Sequence, residues 1–287
     1  MLPRQSSHSA AIGPGVTGGP LAHPTPVYAE QQHQRNAPQA PTCGNEAFVV
    51  DPSAVQAGDN RKHTQYPYVT GTSVLGITYK DGVLIACDTL GAYGSTKRYK
   101  SFDRVRKVND SCIIAAGGEL SDFQYIMRLL EELADDDFCM DDGHRLKPSE
   151  VFSYLTRVIY NRRNKMDPLW NSLVVGGVSP DGKPFLGTLG MIGTNYQDQT
   201  VATGFANMLA RPLMRERHSP DMELADAEEL MRDCLRVCYY RDKNSINKFQ
   251  MAKVTKDGVS ISEPFALETK WDYKRFADPS ANAAGTW

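Results

Sequence analysis

A Gly-Thr pair, Gly71-Thr72, stands at the head of a β-rich run that turns back on itself and ends in Asp88. A threonine at a free amino terminus carries nucleophile and base together, because its own α-amine can take the hydroxyl proton. A chain that cut itself between Gly71 and Thr72 would create such a group. Taken alone, a Gly-Thr pair is an ordinary turn-to-strand start and a strand-ending Asp is an ordinary turn residue. Other chemistry-bearing types follow downstream. Asp122 comes shortly after Gly117-Gly118, and an Asp242-x-x-Ser245 loop follows a long helical pattern.

Elements must bring these residues together. Residues 72–79 and 83–88 read as two strands of a hairpin turning at Lys80-Asp81-Gly82. Strands are predicted at 105–108 and 112–116. Phe123, Ile126, Met127, Leu130 and Leu133 recur at helical spacing over 121–134. A second helix begins near Pro148 and carries Val151, Leu155, Val158 and Ile159 on one stripe. Strands return at 171–178 and 184–189 across Ser179-Pro180-Asp181-Gly182, and again at 199–203. A helix over 205–216 contains Pro212, which predicts a kink or an early end. A longer helix is predicted over 225–241, then strands at 248–255 and 259–263 joined at Lys256-Asp257-Gly258. Hairpins imply antiparallel sheets. Two stacked sheets with a helix pair on each outer face give every apolar stripe a partner. The predicted class is α+β, a four-layer αββα sandwich, although the pattern alone would also allow an α+β fold with a single sheet.

Composition narrows the function. With 23% charged residues and a net charge of -2, the chain lacks the basic surface that nucleic acid demands. No apolar run reaches the length of a membrane span, and no apolar stretch near the start predicts a secretory signal. The six cysteines, Cys43, Cys87, Cys112, Cys139, Cys234 and Cys238, are scattered and form no CxxC pair. They predict core packing in a reducing compartment rather than a disulfide framework. Cys234 and Cys238 lie four apart on a helix; without further ligands they read as two small core residues and not as a metal site. Residues 1–62 hold eight of the 17 prolines, with Tyr28 and Phe48 as their aromatics, and predict a disordered extension or removable propeptide.

Taken together, the strand pair into Asp88, the Gly117-Gly118 pair with Asp122, and the Asp242-x-x-Ser245 loop resemble the proteasome β-subunit family. These are N-terminal nucleophile hydrolases with the αββα fold. Longer strings carry the resemblance further: Val69-Thr70-Gly71-Thr72-Ser73-Val74, Leu90-Gly91-Ala92-Tyr93-Gly94-Ser95, the stretch from Asn161 to Asn171, Ala202-Thr203-Gly204-Phe205 and Tyr239-Tyr240-Arg241-Asp242. The resemblance implies that Thr72 occupies the nucleophile position and Asp88 that of the carboxylate orienting a lysine. Asp242 and Ser245 occupy the supporting pair, and Thr203-Gly204 a supporting Ser-Gly. It also implies that active members carry the lysine where this chain has Arg104.

That departure has a physical consequence. A lysine can lose its proton when its surroundings lower its pKa, whereas arginine stays charged with a pKa above about 12. Arg104 should pair with Asp88 as a bidentate fork and crowd the nucleophile. The resemblance therefore implies a non-catalytic subunit, with Thr72, Asp88, Arg104, Asp242 and Ser245 as vestigial positions and Thr72 still capped by Gly71. The alternative is an active threonine endopeptidase with Thr72 as nucleophile. Trimming by neighbouring active subunits is implied before Thr64.

The resemblance further implies α and β subunits as partners in a hetero-oligomeric 28-subunit particle of the cytoplasm and nucleus, with no cofactor or metal. The expected organisation is an extension over 1–63, the domain over 64–263 and a C-terminal extension over 264–287. The last carries Trp271, Tyr273, Phe276 and Trp287 as contacts to neighbouring subunits. Arg162, Arg163 and Lys165 read as a solvated helix end or a subunit contact, Asp135–Asp137 with Asp141 and Asp142 as an acidic loop, and Trp170 as a packing anchor.

Overall fold

The computed structural model describes residues 66–273 and Asp278. The extension over 1–63, the cut before Thr64, and Phe276 and Trp287 lie outside the described residues. The first half comprises β1 (Val69–Gly71), β2 (Val74–Tyr79), β3 (Gly82–Asp88), β4 (Gly91–Tyr93), β5 (Thr96–Tyr99), β6 (Val105–Asn109), β7 (Cys112–Glu119), α1 (Leu120–Met140) and α2 (Pro148–Asn164). The second half comprises β8 (Asn171–Val178), β9 (Pro184–Leu189), β10 (Asn195–Gln197), β11 (Thr200–Ala202), α3 (Ala206–Leu209), α4 (Arg211–Arg217), α5 (Leu224–Arg241), β12 (Phe249–Thr255) and β13 (Gly258–Ile261).

The strands form two antiparallel sheets. One has five strands in the order β11-β2-β3-β12-β13; the other has eight, β10-β9-β8-β7-β1-β4-β5, with β6 also on β7. Side-chain alternation divides the core into three layers. On β3, Leu84 and Ala86 face α3–α5, while Val83, Ile85 and Cys87 face the other sheet. On β7, Cys112, Ile114 and Ala116 face α1 and α2, while Ile113 and Ala115 face inward. Both faces of the central strands are covered, so they read in sequence as unbroken apolar runs. Each fully buried aliphatic such as Ile85 contributes about 1.5–3 kcal/mol. The αββα sandwich is the observed architecture.

Three boundaries differ from the sequence reading. The strand predicted at 72–79 begins at Val74, and Thr72-Ser73 is a link between sheets, because Gly71 ends a strand of the eight-stranded sheet. The acidic run Asp135–Asp137 belongs to the last turns of α1 rather than to a loop. The helix predicted over 205–216 is two helices, with Pro212 in the first turn of α4, where its missing N–H costs nothing. The short strands β1, β4, β5 and β10 have no predicted counterpart. Three or four residues carry too little alternation, and β5 is polar and exposed throughout.

The segment after β13 packs on its own domain. Phe265 exchanges two backbone hydrogen bonds with Phe249, at 2.8 and 2.9 Å. Leu267 is buried in the helix-side core, and the Asn247 side chain bonds both its N–H and its carbonyl at 2.8 Å. The Trp271 ring meets Tyr239 and Tyr240 edge-on, with centroids 5.7 and 5.0 Å away. Residues 264–271 are thus continuous with the packed body, which extends past the boundary drawn at 263. The cause is non-local: only the fold brings β12 and α5 beneath this stretch. Ending the chain after Glu263 should lower unfolding stability by about 2 kcal/mol or more, from the loss of Leu267 burial and the Phe265 pairing.

Candidate functional site

Thr72 lies where the chain crosses from one sheet to the other. Upstream, Gly71 pairs with Gly118 on β7, and Thr70 sits between Ala92 on β4 and Glu119 on β7. Downstream, Ser73 leads into β2, and its Oγ accepts the Ala206 N–H at 3.0 Å. The Thr72 hydroxyl donates to Asp242 Oδ2 at 2.5 Å. Asp242 ends α5, and its Oδ1 accepts the Asn244 N–H at 2.9 Å. Ser245 turns its hydroxyl to the Asp242 carbonyl at 2.7 Å and so braces this loop rather than Thr72.

Arg104 is fully buried and is the largest side chain so enclosed. Its Nε donates to the Ala116 carbonyl at 3.1 Å. Nη1 donates to an Asp88 carboxylate oxygen and, at 3.4 Å, to the Asp88 carbonyl. Nη2 donates to the carbonyls of Thr72 at 2.7 Å and Ser73 at 2.8 Å. A guanidinium has five N–H donors, and each has an acceptor here. The side chain joins β7, the end of β3 and the crossing at Thr72-Ser73.

The expected bidentate fork does not form. Asp88 offers Arg104 one carboxylate oxygen; the other accepts the Ile246 N–H at 3.2 Å. Nη2 is free for the crossing carbonyls as a result. Burial pushes the Asp88 carboxyl above its ordinary pKa, opposed by the Arg104 charge and the Ile246 N–H.

The crowding expected at the nucleophile falls chiefly on Gly71. A Cβ there would lie 2.4 Å from Arg104 Nε and 2.9 Å from Cδ and Cζ. Beside Thr72, a cavity walled in part by Leu75, Leu235, Cys238 and Phe249 has a volume of about 10 Å3, at most one water.

The remaining predicted residues lie around this centre. Thr203 Oγ1 accepts the Val74 N–H at 3.1 Å and its own N–H donates to the Val74 carbonyl at 2.9 Å, so it anchors the start of β2. Asp122 accepts the Trp170 N–H at 2.9 Å, away from Thr72. Gly118 has φ +87°, and a Cβ there would sit 2.0 Å from the Trp170 carbonyl, which explains one glycine of the pair. Cys87, Cys112, Cys234 and Cys238 are buried, and burial pushes each thiol up to about 12, which keeps them protonated and inert. No group of metal-ligating side chains occurs among the described residues. Arg162 pairs with Asp167 at 3.0 Å and lies over the Tyr125 ring.

Sequence reasoning missed Glu119. It is buried and accepts the N–H groups of Tyr68 and Val69 through one oxygen. No local pattern marks it, because its partners lie about fifty positions upstream.

The chain that carries this arrangement has relatives among known sequences. The pattern of the family described as proteasome subunit matches residues 68–254. The chain belongs to the proteasome subunit family. Relatives named as β subunits match over most of its length. It is 51% identical over 231 residues to proteasome subunit beta type-4 of Arabidopsis thaliana, covering 80% of this chain and 94% of that one. It is 43% identical to proteasome subunit beta type-4 of Xenopus laevis, over 74% of this chain and 88% of the relative. Proteasome subunit beta type-7 of Saccharomyces cerevisiae is 40% identical, over 74% and 84%. The family membership makes this a β subunit of the proteasome core, a chain that assembles with other proteasome subunits.

Proposed function

We propose that this chain is a non-catalytic structural subunit of the 20S proteasome core β ring. Its role is to complete the ring and support assembly and ring pairing, so that the enclosed chamber degrades proteins in the ubiquitin- and ATP-dependent pathway. One observation carries the reading: every donor of Arg104 is engaged, including two on the carbonyls of Thr72 and Ser73. A relay needs a group that can give up a proton, and a permanently charged guanidinium tied to five acceptors cannot. Thr72, Asp88, Arg104, Asp242 and Ser245 are then vestiges kept for the fold. Thr72 remains in peptide linkage to Gly71, so its nitrogen is an amide and cannot serve as base.

Removal of the extension before Thr64 by an active neighbour, contacts of the chain's last residues with other subunits, the 28-subunit stoichiometry, and residence in cytoplasm and nucleus belong to the same reading. No cofactor, nucleic acid or membrane is required. Intact mass of the chain from the purified particle should correspond to a start at Thr64. Arg104→Lys should add no peptidase activity to the particle, because the Thr72 nitrogen stays blocked. A chain starting at Thr72, together with peptidase activity lost on Thr72→Ala, would make it an active threonine endopeptidase instead.

A further inference from the structure

The chain upstream of Thr72 is gripped at a second point that catalysis would not need. One Glu119 carboxylate oxygen accepts the N–H groups of Tyr68 at 2.6 Å and Val69 at 3.1 Å. The other accepts the Ser121 hydroxyl at 2.8 Å. Glu119 is buried as the N-cap of α1, where the helix dipole favours a negative charge, and among the described residues it has no salt-bridge partner. Past Val69, Thr70 is paired on both sides, by β4 and β7, and Gly71 on one side, by β7. Exposure runs through Tyr68 and falls from Val69: Tyr66 is 78% exposed, Pro67 is exposed, Tyr68 is 57% exposed and Val69 is half-buried. The hold on Tyr68 is therefore through its backbone N–H, with its side chain still in solvent.

We propose that Glu119 sets the downstream limit of N-terminal trimming. A strand paired on both edges must open before a protease can take it up, and the rate of cutting then follows the population of the open form. By holding Tyr68 and Val69 in place, Glu119 keeps β1 closed and confines cutting to the chain before Tyr68. The inference rests on the trimming reading given above and explains why trimming stops short of Thr72.

The test uses assembled particles carrying the wild-type chain, Glu119→Gln, Glu119→Ala or Leu267→Ala. Each is incubated so that the particle's own active neighbours do the digestion, since an added protease would not enter the enclosed chamber, and the chain is read by intact mass. Wild type should start before Tyr68 before and after incubation. Losing two charge-assisted bonds in Glu119→Ala should raise the fraction of chains starting between Tyr68 and Thr72 on the order of tenfold or more. Glu119→Gln, which keeps the shape and one good acceptor, should lie between and decides the matter if the alanine variant fails to assemble. Leu267→Ala, destabilised at a distant core site, should match wild type. Glutamine and alanine variants that resist digestion as wild type does would overturn the proposal, as would equal raggedness in Leu267→Ala. A wild-type chain still starting at Met1 after incubation would overturn the trimming reading and this proposal with it, whereas variants that match a trimmed wild type would overturn the proposal alone.

Discussion

Replacing Arg104 with methionine should cost about 3–5 kcal/mol of unfolding stability at neutral pH, the loss expected when one partner of a buried ion pair is removed. Methionine fills much of the volume but offers no donor. The Asp88 carboxylate would then be buried with the Ile246 N–H as its remaining hydrogen bond. The carbonyls of Thr72, Ser73 and Ala116 would lose their arginine donors as well.

The loss should depend on pH, and its sign follows from Asp88. Burial already pushes this carboxyl upward against the pull of Arg104. Without Arg104 it rises further, so the folded variant holds a proton that the unfolded chain releases above the ordinary carboxylate range. A group raised in the folded state contributes most below its unfolded pKa and loses that contribution as pH rises through the folded value. The gap between wild type and variant should therefore widen from about pH 4 towards neutrality. Urea unfolding at several pH values checks this; a gap of constant size would mean that Asp88 is not the group left stranded. Arg104→Lys should fall between, since an ammonium keeps the charge but has three donors for five acceptors.

Gly71→Ala should cost about 3 kcal/mol although it adds one methyl group. Overpacking a filled core costs about 1–3 kcal/mol. Here the methyl would meet Arg104 Nε at 2.4 Å, on the atom that donates to Ala116. The guanidinium cannot step aside without breaking other bonds. The cost should shrink in an Arg104→Ala background, where the space is open. Such a double-mutant cycle, read by urea unfolding, should give a coupling energy of 1 kcal/mol or more, within the roughly 0.5–3 kcal/mol range for residues in contact. Additive losses would sink the pairing of Gly71 with Arg104. On this view the glycine before Thr72 is retained for the arginine that lies on it.

Much of the frame was legible from local pattern. The hairpin from Val74 to Asp88, the helix faces of α1, α2 and α5, and the break at Pro212 each follow from periodicity or backbone chemistry within a few residues. The resemblance to proteasome β subunits rested on strings of side chains readable in order. The small strand β1 was not legible, because three residues make no period and its pairing partners lie at 92–93 and 118–119. Residues 264–271 read as a tail, because the surfaces that hold them, at Asn247, Phe249 and Tyr240, are assembled by the fold.

The sequence by itself determined that residue 104 is a permanent cation that cannot relay a proton, since the pKa of a guanidinium belongs to the residue type. The order of its elements determined an α+β class with antiparallel hairpins, and the resemblance implied the four-layer stacking. Only the tertiary structure decided where the arginine's donors go. Its acceptors lie 12, 16, 31 and 32 positions away in the chain, and the hydroxyl partner of Thr72 lies 170 away. Contacts at such separations are set by how the two sheets stack. The stacking turned an expected fork on Asp88 into a strut across three segments, and it made Gly71 the space that strut requires.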